Sequence, residues 1–237
     1  KGMSMLKRNA LQSYWLARYL ARGQRMLLLL EELHELSHTP SCSARTLSWQ
    51  TPLLMTGTAL PEQASALGEA QVLQLMLCDA QQMSSVLSCL QLARENAHAL
   101  RGVLASDIWE SINRTWLHAM NLPQSAWLGA EGIQNRAWLQ QQYSYITGTI
   151  DAQPLDNLRV CFHFGQRLEY ADCAIRLFQA CQPFSDAIDI WQWQALLGAV
   201  QVRAMAGLAL DYRTVTHRIL TDIQHQQSVL RCMEMAF

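Results

Sequence analysis

A long stretch without a strong helix breaker opens the chain and constrains its fold more than any other feature. From Ser4 to His38 only Gly23 weakens the helical pattern, and Pro40 ends it. At 1.5 Å per residue this stretch predicts a rod of roughly 50 Å, and Leu158 to Ala180 predicts a second rod. The chain has only 11 Gly and 6 Pro in 237 residues and almost no strand-like alternation, so we expect an all-α fold, a helical bundle.

Apolar residues repeating at three- and four-residue intervals predict further helices around the two rods. Turn regions at 121–129 and 148–154, marked by Gly and Pro, separate some of them. The expected ranges are 49–56, 62–78, 84–104, 107–120, 131–147 and 186–208, followed by two helices up to residue 237.

Composition excludes several classes of protein. Eighteen basic and 19 acidic side chains give a net charge of -1, so we expect neither a nucleic acid nor an anionic membrane as partner. Apolar runs are far shorter than a bilayer span and the N-terminus lacks a signal-peptide core, so a soluble, cytoplasmic protein is expected. The seven cysteines are scattered and never form a Cys-x-x-Cys, which indicates reduced thiols.

Short strings recur at one long offset and predict an internal duplication. Asp79 and Asp222, Ser85 and Ser228, and Cys89 and Cys232 are each 143 residues apart. A period this long is typical of a duplicated helical unit rather than of a solenoid repeat. We therefore expect two tandem halves, residues 1–148 and 149–237, related by a rough two-fold axis and packed as one compact domain, with Ser85 and Ser228 each capping a helix.

The second copy is expected to be truncated. Carried forward by 143, Arg94 corresponds to Phe237, so the helices that follow in the first copy have no counterpart. Apolar side chains at Val229, Leu230 and Met233 would then need a cover. Residues beyond Phe237, a second copy of the chain in a homodimer, or a protein partner could provide it.

Polar residues beside two apolar stripes mark the region from Arg94 to Trp116. The spacing predicts two helices joined by a tight corner, with polar side chains flanking both buried faces. Such an arrangement suggests a polar network between packed helices. Its candidate residues for a ligand or for the network are Arg94, Glu95, Asn96, Arg101, Glu110 and Asn113.

Charged residues on the two rods are the other candidates. Arg18, Arg22 and Arg25 form a basic stripe that could hold a phosphate or a carboxylate, or could simply face solvent. Asp172 has a partner four residues away in Arg176. Glu169 has no such neighbour, and a buried unpaired Glu would be costly, so we expect it to meet Arg22, Arg94 or Arg101 across helices.

A metal site is considered at the end of the first rod. Glu31 and His34, and Glu35 and His38, repeat a Glu-x-x-His spacing that di-iron bundles use. Those sites need the motif on two helices, however, and the duplicated rod has no His between Arg176 and Pro183. We therefore expect no metal and no cofactor, and interpret the pattern as a solvated helix end.

Complete catalytic motifs are lacking in the sequence. There is no Gly-rich phosphate loop and no nucleophile elbow, and pairing of Cys89 with His98 as a thiol protease has no support in the pattern. Whether the protein is an enzyme stays open at this point, with a non-catalytic role favoured.

Two blocks, one in each rod, resemble the signature of the Alpha-E domain family, a predicted all-helical bacterial domain. The signature reads like Gly-Arg-Tyr-Leu-Glu-Arg-Ala-Glu, and residues 14–24 and 165–172 resemble it. The region from Arg94 to Arg114 resembles the family's most specific segment, and the resemblance covers nearly the whole chain.

Each block departs from the signature in a different way. The first has Ala21 where the family has Glu and keeps only Arg22 of the Glu-Arg pair. The second keeps Glu169 and Asp172 but has Tyr170 where the family has Arg. The two halves together therefore retain one Glu and one Arg of the motif.

The resemblance implies a cellular context rather than a reaction. Alpha-E domains are linked with ATP-grasp-like ligases and transglutaminase-like proteins, which suggests a bacterial system that makes or modifies peptide-like amides. The role it implies is a non-catalytic helical scaffold that docks one of these partners. The alternative is an enzyme or small-ligand binder that uses a buried cluster of Glu169, Arg94, Arg101, Glu110 and Asn113.

Overall fold

Helices account for all regular structure in the part of the chain that the computed structural model describes, residues 6–38, 49–58, 67–181, 190–201, 211–222 and 228–236. A π-helical turn, Gln74–Cys78, continues the helix Glu69–Leu73, and a short 3-10 helix, Gln124–Trp127, precedes the helix Gly129–Asp151. The helices are α1 (Lys7–Ser37), α2 (Thr51–Thr56), α3 (Glu69–Leu73), α4 (Val86–Leu100), α5 (Ser106–Asn121), α6 (Gly129–Asp151), α7 (Asn157–Cys181), α8 (Ile190–Ala199), α9 (Tyr212–Thr221) and α10 (Val229–Ala236). The expected all-α fold is confirmed.

The two predicted rods, α1 and α7, lie against each other at the centre of the bundle. Gly165 allows their close approach, because a Cβ atom there would lie 2.4 Å from the backbone oxygen of Tyr14. Gly23, which weakens the helical pattern of α1, is buried against Tyr143. A Cβ atom added to Gly23 would lie 2.3 Å from the Tyr143 hydroxyl, so only glycine fits there without a shift of this side chain. Among the described helices, none is long and apolar enough to cross a membrane.

α1 contributes to two apolar clusters. Leu16, Leu27 and Leu30 pack with residues of α4, α5 and α6. Leu29 and Leu33, on another side of the same helix, pack with residues of α7, α8 and α10. Burying α1 on several sides accounts for its low amphipathicity and makes it the element that joins both clusters.

Several predicted helix ends differ from the structure. Where the structure is described, the helix expected from residue 62 begins at Glu69, because Gly68 has an extended backbone; residues 59–66 lie outside the described part. The helix expected to end at Leu104 ends at Leu100, and a turn follows. The helix expected to reach residue 208 ends at Ala199, with Gln201 at a positive φ of 57°, and residues 202–210 are not described.

Several features recur in both parts of the chain. Ser85 accepts a hydrogen bond from the Ser88 amide at 3.3 Å at the start of α4, and Ser228 accepts one from the Arg231 amide at 3.1 Å at the start of α10. Both expected caps are thus present. α1 packs on α4 as α7 packs on α10, and α1 packs on α8 as α7 packs on α2. These parallels support the duplication, which remains a proposal.

The surface expected to need a cover is only partly buried. Val229 is 7% exposed and belongs to the cluster around α7. Leu230 and Met233 are 41% and 44% exposed. An uncovered apolar strip therefore runs along α10.

Candidate functional site

A buried carboxylate joins the two central helices. Glu169 on α7 is 1% exposed and accepts a hydrogen bond from Arg22 Nε on α1 at 2.6 Å and another from Arg22 Nη2 at 3.0 Å. Arg18 Nε, one turn earlier on α1, also donates to Glu169. Glu169 thus binds two guanidinium groups, one of them through both of its oxygens, which is the strongest geometry for such a pair.

The periodicity of both helices explains this geometry. Arg18 and Arg22 are four residues apart, so they project from one face of α1. Glu169 lies on a stripe of α7 that also carries the buried residues Phe162 and Cys173. Where the two faces meet, the carboxylate is removed from water, and the two arginines provide the charge that makes its burial tolerable.

Neighbouring groups complete the network around Glu169. Arg18 Nη1 donates to the Tyr14 hydroxyl at 2.8 Å, and its Nη2 lies 3.6 Å from the Asp172 carboxylate. Asp172 also pairs with Arg176 at 2.9 Å, as its four-residue spacing predicts. The thiol of Cys173 donates to Glu169 Oε1 at 3.7 Å. Each oxygen of Glu169 therefore already has a donor.

The pKa shifts agree with a permanent ion pair. Burial alone would lower the pKa of Arg22, but the hydrogen bonds and the charge of Glu169 outweigh burial and raise it above its ordinary value. Burial and the nearby Glu169 carboxylate raise the pKa of the Cys173 thiol well above its usual range. Cys173 therefore stays protonated and is a poor nucleophile.

Arg25, the third residue of the basic stripe, has a different environment. It is 4% exposed, its guanidinium lies 4.2 Å from the centre of the Tyr170 ring, and its Nη1 donates to the Ala199 carbonyl at 3.4 Å. Burial lowers the pKa of Arg25. Tyr170, which stands in the second block at the position that resembles the signature's Arg, thus presents an aromatic ring to Arg25.

Two of the three arginines of the stripe, Arg18 and Arg22, therefore bind a carboxylate, and this carboxylate belongs to the protein itself. Of the three arginines proposed for Glu169, the structure selects Arg22 and adds Arg18. Because Glu169 is buried and its oxygens already accept hydrogen bonds, it has no free position from which to take a proton from a substrate. The geometry supports a role in joining α1 to α7.

Arg94 and Asn113 form a separate contact. Arg94 Nε donates to Asn113 Oδ1 at 2.8 Å and so bridges α4 and α5. The guanidinium lies 4.1 Å from the centre of the Trp116 ring and 5.7 Å from that of Trp109, which are cation–π distances. The predicted polar contact across this corner is present, but it is limited to one pair.

Local contacts occupy most of the remaining candidates from this region. Glu95 accepts from Gln91 at 2.6 Å, and Asn96 donates to the Leu92 carbonyl at 2.7 Å, both within α4. Arg101 is exposed and lies 3.4 Å from His98, and Glu110 is exposed. The cluster predicted from Glu169, Arg94, Arg101, Glu110 and Asn113 is therefore not assembled, because Glu169 binds α1 instead.

The weak metal candidates at the end of α1 separate into two groups. Glu31 binds Arg136, which is fully buried on α6. His34 and His38 lie together, with ring centres 4.4 Å apart, and His34 Nδ1 lies 2.6 Å from Glu69 Oε1 at the start of α3. Glu35 is exposed.

Sequence reasoning missed Arg136 and Glu69. Arg136 lies on the buried stripe of α6 with Gly132, Leu139 and Tyr143. Because its spacing places it among buried apolar residues, the sequence could have predicted that Arg136 needs a buried acidic partner. The sequence contains no comparable indication for Glu69. Its contact with His34 depends on the packing of α3 beside the end of α1, which a local pattern does not predict.

Glu32, next to the Arg136 pair, has a perturbed pKa. Burial raises it to about 7, with further contributions from the negative charges of Glu35 and Glu31. The side chain faces α8, where a Cβ atom added to Gly198 would lie 2.1 Å from Glu32 Oε1. In the folded state, Glu32 is therefore about half protonated at pH 7 and mostly protonated below that pH.

We expect this carboxyl group to make stability pH-dependent. Its pKa is higher in the folded than in the unfolded state, so the folded state binds more protons between about pH 4.5 and 7 and loses stability as the pH rises through this range. Glu32→Gln should flatten that slope and raise the free energy of unfolding at pH 8 by about 1 kcal/mol, a value limited by solvent screening. Urea unfolding at several pH values measures this, with Glu110→Gln as the control; equal slopes in all three proteins would contradict it.

An apolar groove lies where the first turns of α1 and α7 meet the end of α10. It has a volume of about 620 Å³, and its apolar lining includes Leu11, Leu155, Val160 and Met235, which are between 48% and 72% exposed. Lys7 and Arg167 also line it, and no carboxylate is among the described lining residues. The groove thus combines an apolar floor with positive charge.

Comparison with known proteins identifies the family. The chain matches, over residues 5–236, the model of a family described as a predicted alpha-helical domain with a conserved ER motif. Comparisons with curated proteins and with solved structures gave no match. In the two blocks that resemble the signature, Arg22 and Glu169 are the residues that the sequence analysis matches to that motif, and in the structure they are paired between α1 and α7. The chain belongs to the Alpha-E family.

Proposed function

We propose that this protein is a non-catalytic helical scaffold that docks a protein partner in the groove between α1, α7 and α10. The observation that carries the proposal is the exposed apolar floor of this groove beside Lys7 and Arg167. Large exposed apolar patches are typical of protein interfaces. A partner segment with an apolar face and acidic side chains would complement both the floor and the charge.

The network around Glu169 supports a non-catalytic role. Its charges are neutralised inside the protein, and Cys173 beside it has a pKa too high for a thiolate. A general base or a nucleophile would need an accessible atom with a tuned pKa. We therefore assign Arg18, Arg22 and Glu169 a role in stabilising the bundle, and we assign partner binding to the exposed groove.

The family resemblance supports the class of partner. Alpha-E domains are linked with ATP-grasp-like and transglutaminase-like proteins, so the partner is proposed to be one of these, in a cytoplasmic bacterial system that makes or modifies peptide-like amides. The duplication belongs to the same proposal: residues 1–148 and 149–237 form two related halves of one domain, with α1 and α7 as equivalent central helices.

Binding measurements with purified partner candidates test the proposal. Leu11→Glu and Val160→Glu place negative charges on the groove floor and should weaken binding of the partner at least roughly tenfold. Leu117→Glu, on an equally exposed leucine of α5 outside the groove, should leave the affinity unchanged. Circular dichroism would confirm that all three variants remain folded.

Two results would overturn the proposal. One is turnover of amide, ester or nucleotide substrates by the purified protein while neither type of partner binds. The other is a homodimer in light scattering that the Leu11→Glu variant dissociates, because the groove would then bind a second copy of the chain.

A further inference from the structure

Three potential metal ligands converge where the end of α1 meets the start of α3. His34 and His38 are four residues apart in the last turns of α1, and Glu69 is the first residue of α3. One ligand atom from each residue lies within 4.8 Å of the other two. We propose that His34, His38 and Glu69 bind a divalent transition-metal ion, with Zn²⁺ as the best fit, at a site independent of the docking groove.

The hydrogen bonds of the two histidines suit this role. His38 Nδ1 lies 2.9 Å from the His34 carbonyl oxygen and 3.1 Å from Ser37 Oγ. When Nδ1 carries the proton and donates it to that carbonyl, Nε2 is left as the metal ligand, which is how metal-binding histidines are usually oriented. His34 Nδ1 and Glu69 Oε1 lie 2.6 Å apart in a hydrogen bond that a metal ion would replace with two coordination bonds.

No pair of ligand atoms would have to approach by more than about 1.4 Å to accommodate the ion, because the three atoms lie within 4.8 Å of one another. Zinc binds imidazole nitrogen and carboxylate oxygen at about 2.0–2.2 Å in tetrahedral geometry, which places two ligands roughly 3.4 Å apart. His34 Nδ1 and Glu69 Oε1 would therefore separate by somewhat less than 1 Å. Glu69 is the first residue of a short helix, so a rotation of its side chain can provide this shift.

The ligand set determines the class of metal. Two imidazoles and one carboxylate suit zinc, iron, cobalt, nickel and copper, whereas magnesium and calcium prefer oxygen ligands alone. The side chains of His34 and Glu69 are 16% and 31% exposed, and His38 is exposed, so solvent reaches the site. Three protein ligands with solvent access leave a coordination position for water.

Charge near the site also favours a cation. Glu32 and Glu35 lie on the same last turns of α1 as the histidines. Carboxyl groups close to a site lower the electrostatic cost of placing a cation there. Sequence reasoning considered Glu31 and Glu35 as the carboxylate ligands, but the structure assigns Glu31 to Arg136 and brings Glu69 to the histidines instead.

Calorimetric titration of the full, untagged chain with Zn²⁺ after treatment with a chelator tests the site. We expect one ion per chain with micromolar or tighter affinity, and a higher Tm in the presence of Zn²⁺ because the ion binds only the folded state. His38→Ala and Glu69→Gln should each weaken binding by roughly 10–100-fold. His98→Ala, an exposed histidine on α4, is the matched control and should bind as the unchanged protein does.

Cobalt provides a readout that separates this site from the cysteines. Co²⁺ at two imidazoles and a carboxylate should give visible d–d absorption without a thiolate charge-transfer band. The proposal is overturned if no stoichiometric ion binds, if His38→Ala and Glu69→Gln bind as tightly as the unchanged protein, or if the cobalt complex shows thiolate charge transfer.

Discussion

Replacing Glu169 with Gln should lower the free energy of unfolding by about 3 kcal/mol, because Arg18 and Arg22 would lose the carboxylate that neutralises them at the α1–α7 contact. The substitution keeps the size of the side chain, so the loss would come from charge and hydrogen bonding rather than from a cavity. For a chain of this length the Tm should fall by about 6–12 °C. Denaturant unfolding and calorimetry measure both quantities.

Asp172→Asn is the matched control for this variant. Asp172 lies on the same helix and also pairs with two arginines, but its side chain is 34% exposed. Exposed ion pairs contribute about 0–1 kcal/mol, so this variant should differ little from the unchanged protein. If both substitutions lowered the free energy of unfolding equally, the burial of Glu169 would not make its ion pairs more stabilising than the exposed ones.

Gly165→Ala should lower the free energy of unfolding by about 1–3 kcal/mol. An added Cβ would lie 2.4 Å from the backbone oxygen of Tyr14, and a backbone atom cannot move aside as a flexible side chain can. The two central helices would have to separate, which would also lengthen the hydrogen bonds between Arg22 and Glu169. Thermal unfolding of the purified variant measures the loss.

The same substitution at Gly148 provides the comparison. Gly148 lies within α6, is exposed, and has no atom within 4 Å of an added Cβ. Alanine there should raise stability by about 0.5–1 kcal/mol through helix propensity alone. If Gly165→Ala also raised stability, the close approach of α1 and α7 would not be a packing constraint.

Sequence periodicity predicted the central helices because their signals are local. α1 and α7 lie within about three residues of the predicted rods, and Glu169, which has no local partner, was predicted to meet Arg22, Arg94 or Arg101 across helices. The cost of burying an unpaired carboxylate was enough to require an arginine. Which of Arg22, Arg94 and Arg101 pairs with Glu169 depends on how the helices pack, and a local sequence pattern does not predict that packing.

The contacts that could not be predicted are those between elements distant in the sequence. Arg94 was one of three candidates for Glu169, yet it contacts Asn113 and the Trp116 ring instead. Glu69 reaches His34 only because α3 returns beside the end of α1. A polar side chain beside a buried stripe indicates that a partner is needed, but it does not identify which helix provides that partner.

A double-mutant cycle between Arg22 and Glu169 tests the central claim most directly, namely that these two residues, which resemble the Glu-Arg motif, stabilise the bundle as a pair. Arg22→Met, Glu169→Gln and the double variant would be compared by urea unfolding. We expect a coupling energy of about 2 kcal/mol, so that the double variant loses clearly less than the two single losses added together. Losses that add to within about 0.5 kcal/mol would contradict the account, because the two side chains would then act independently.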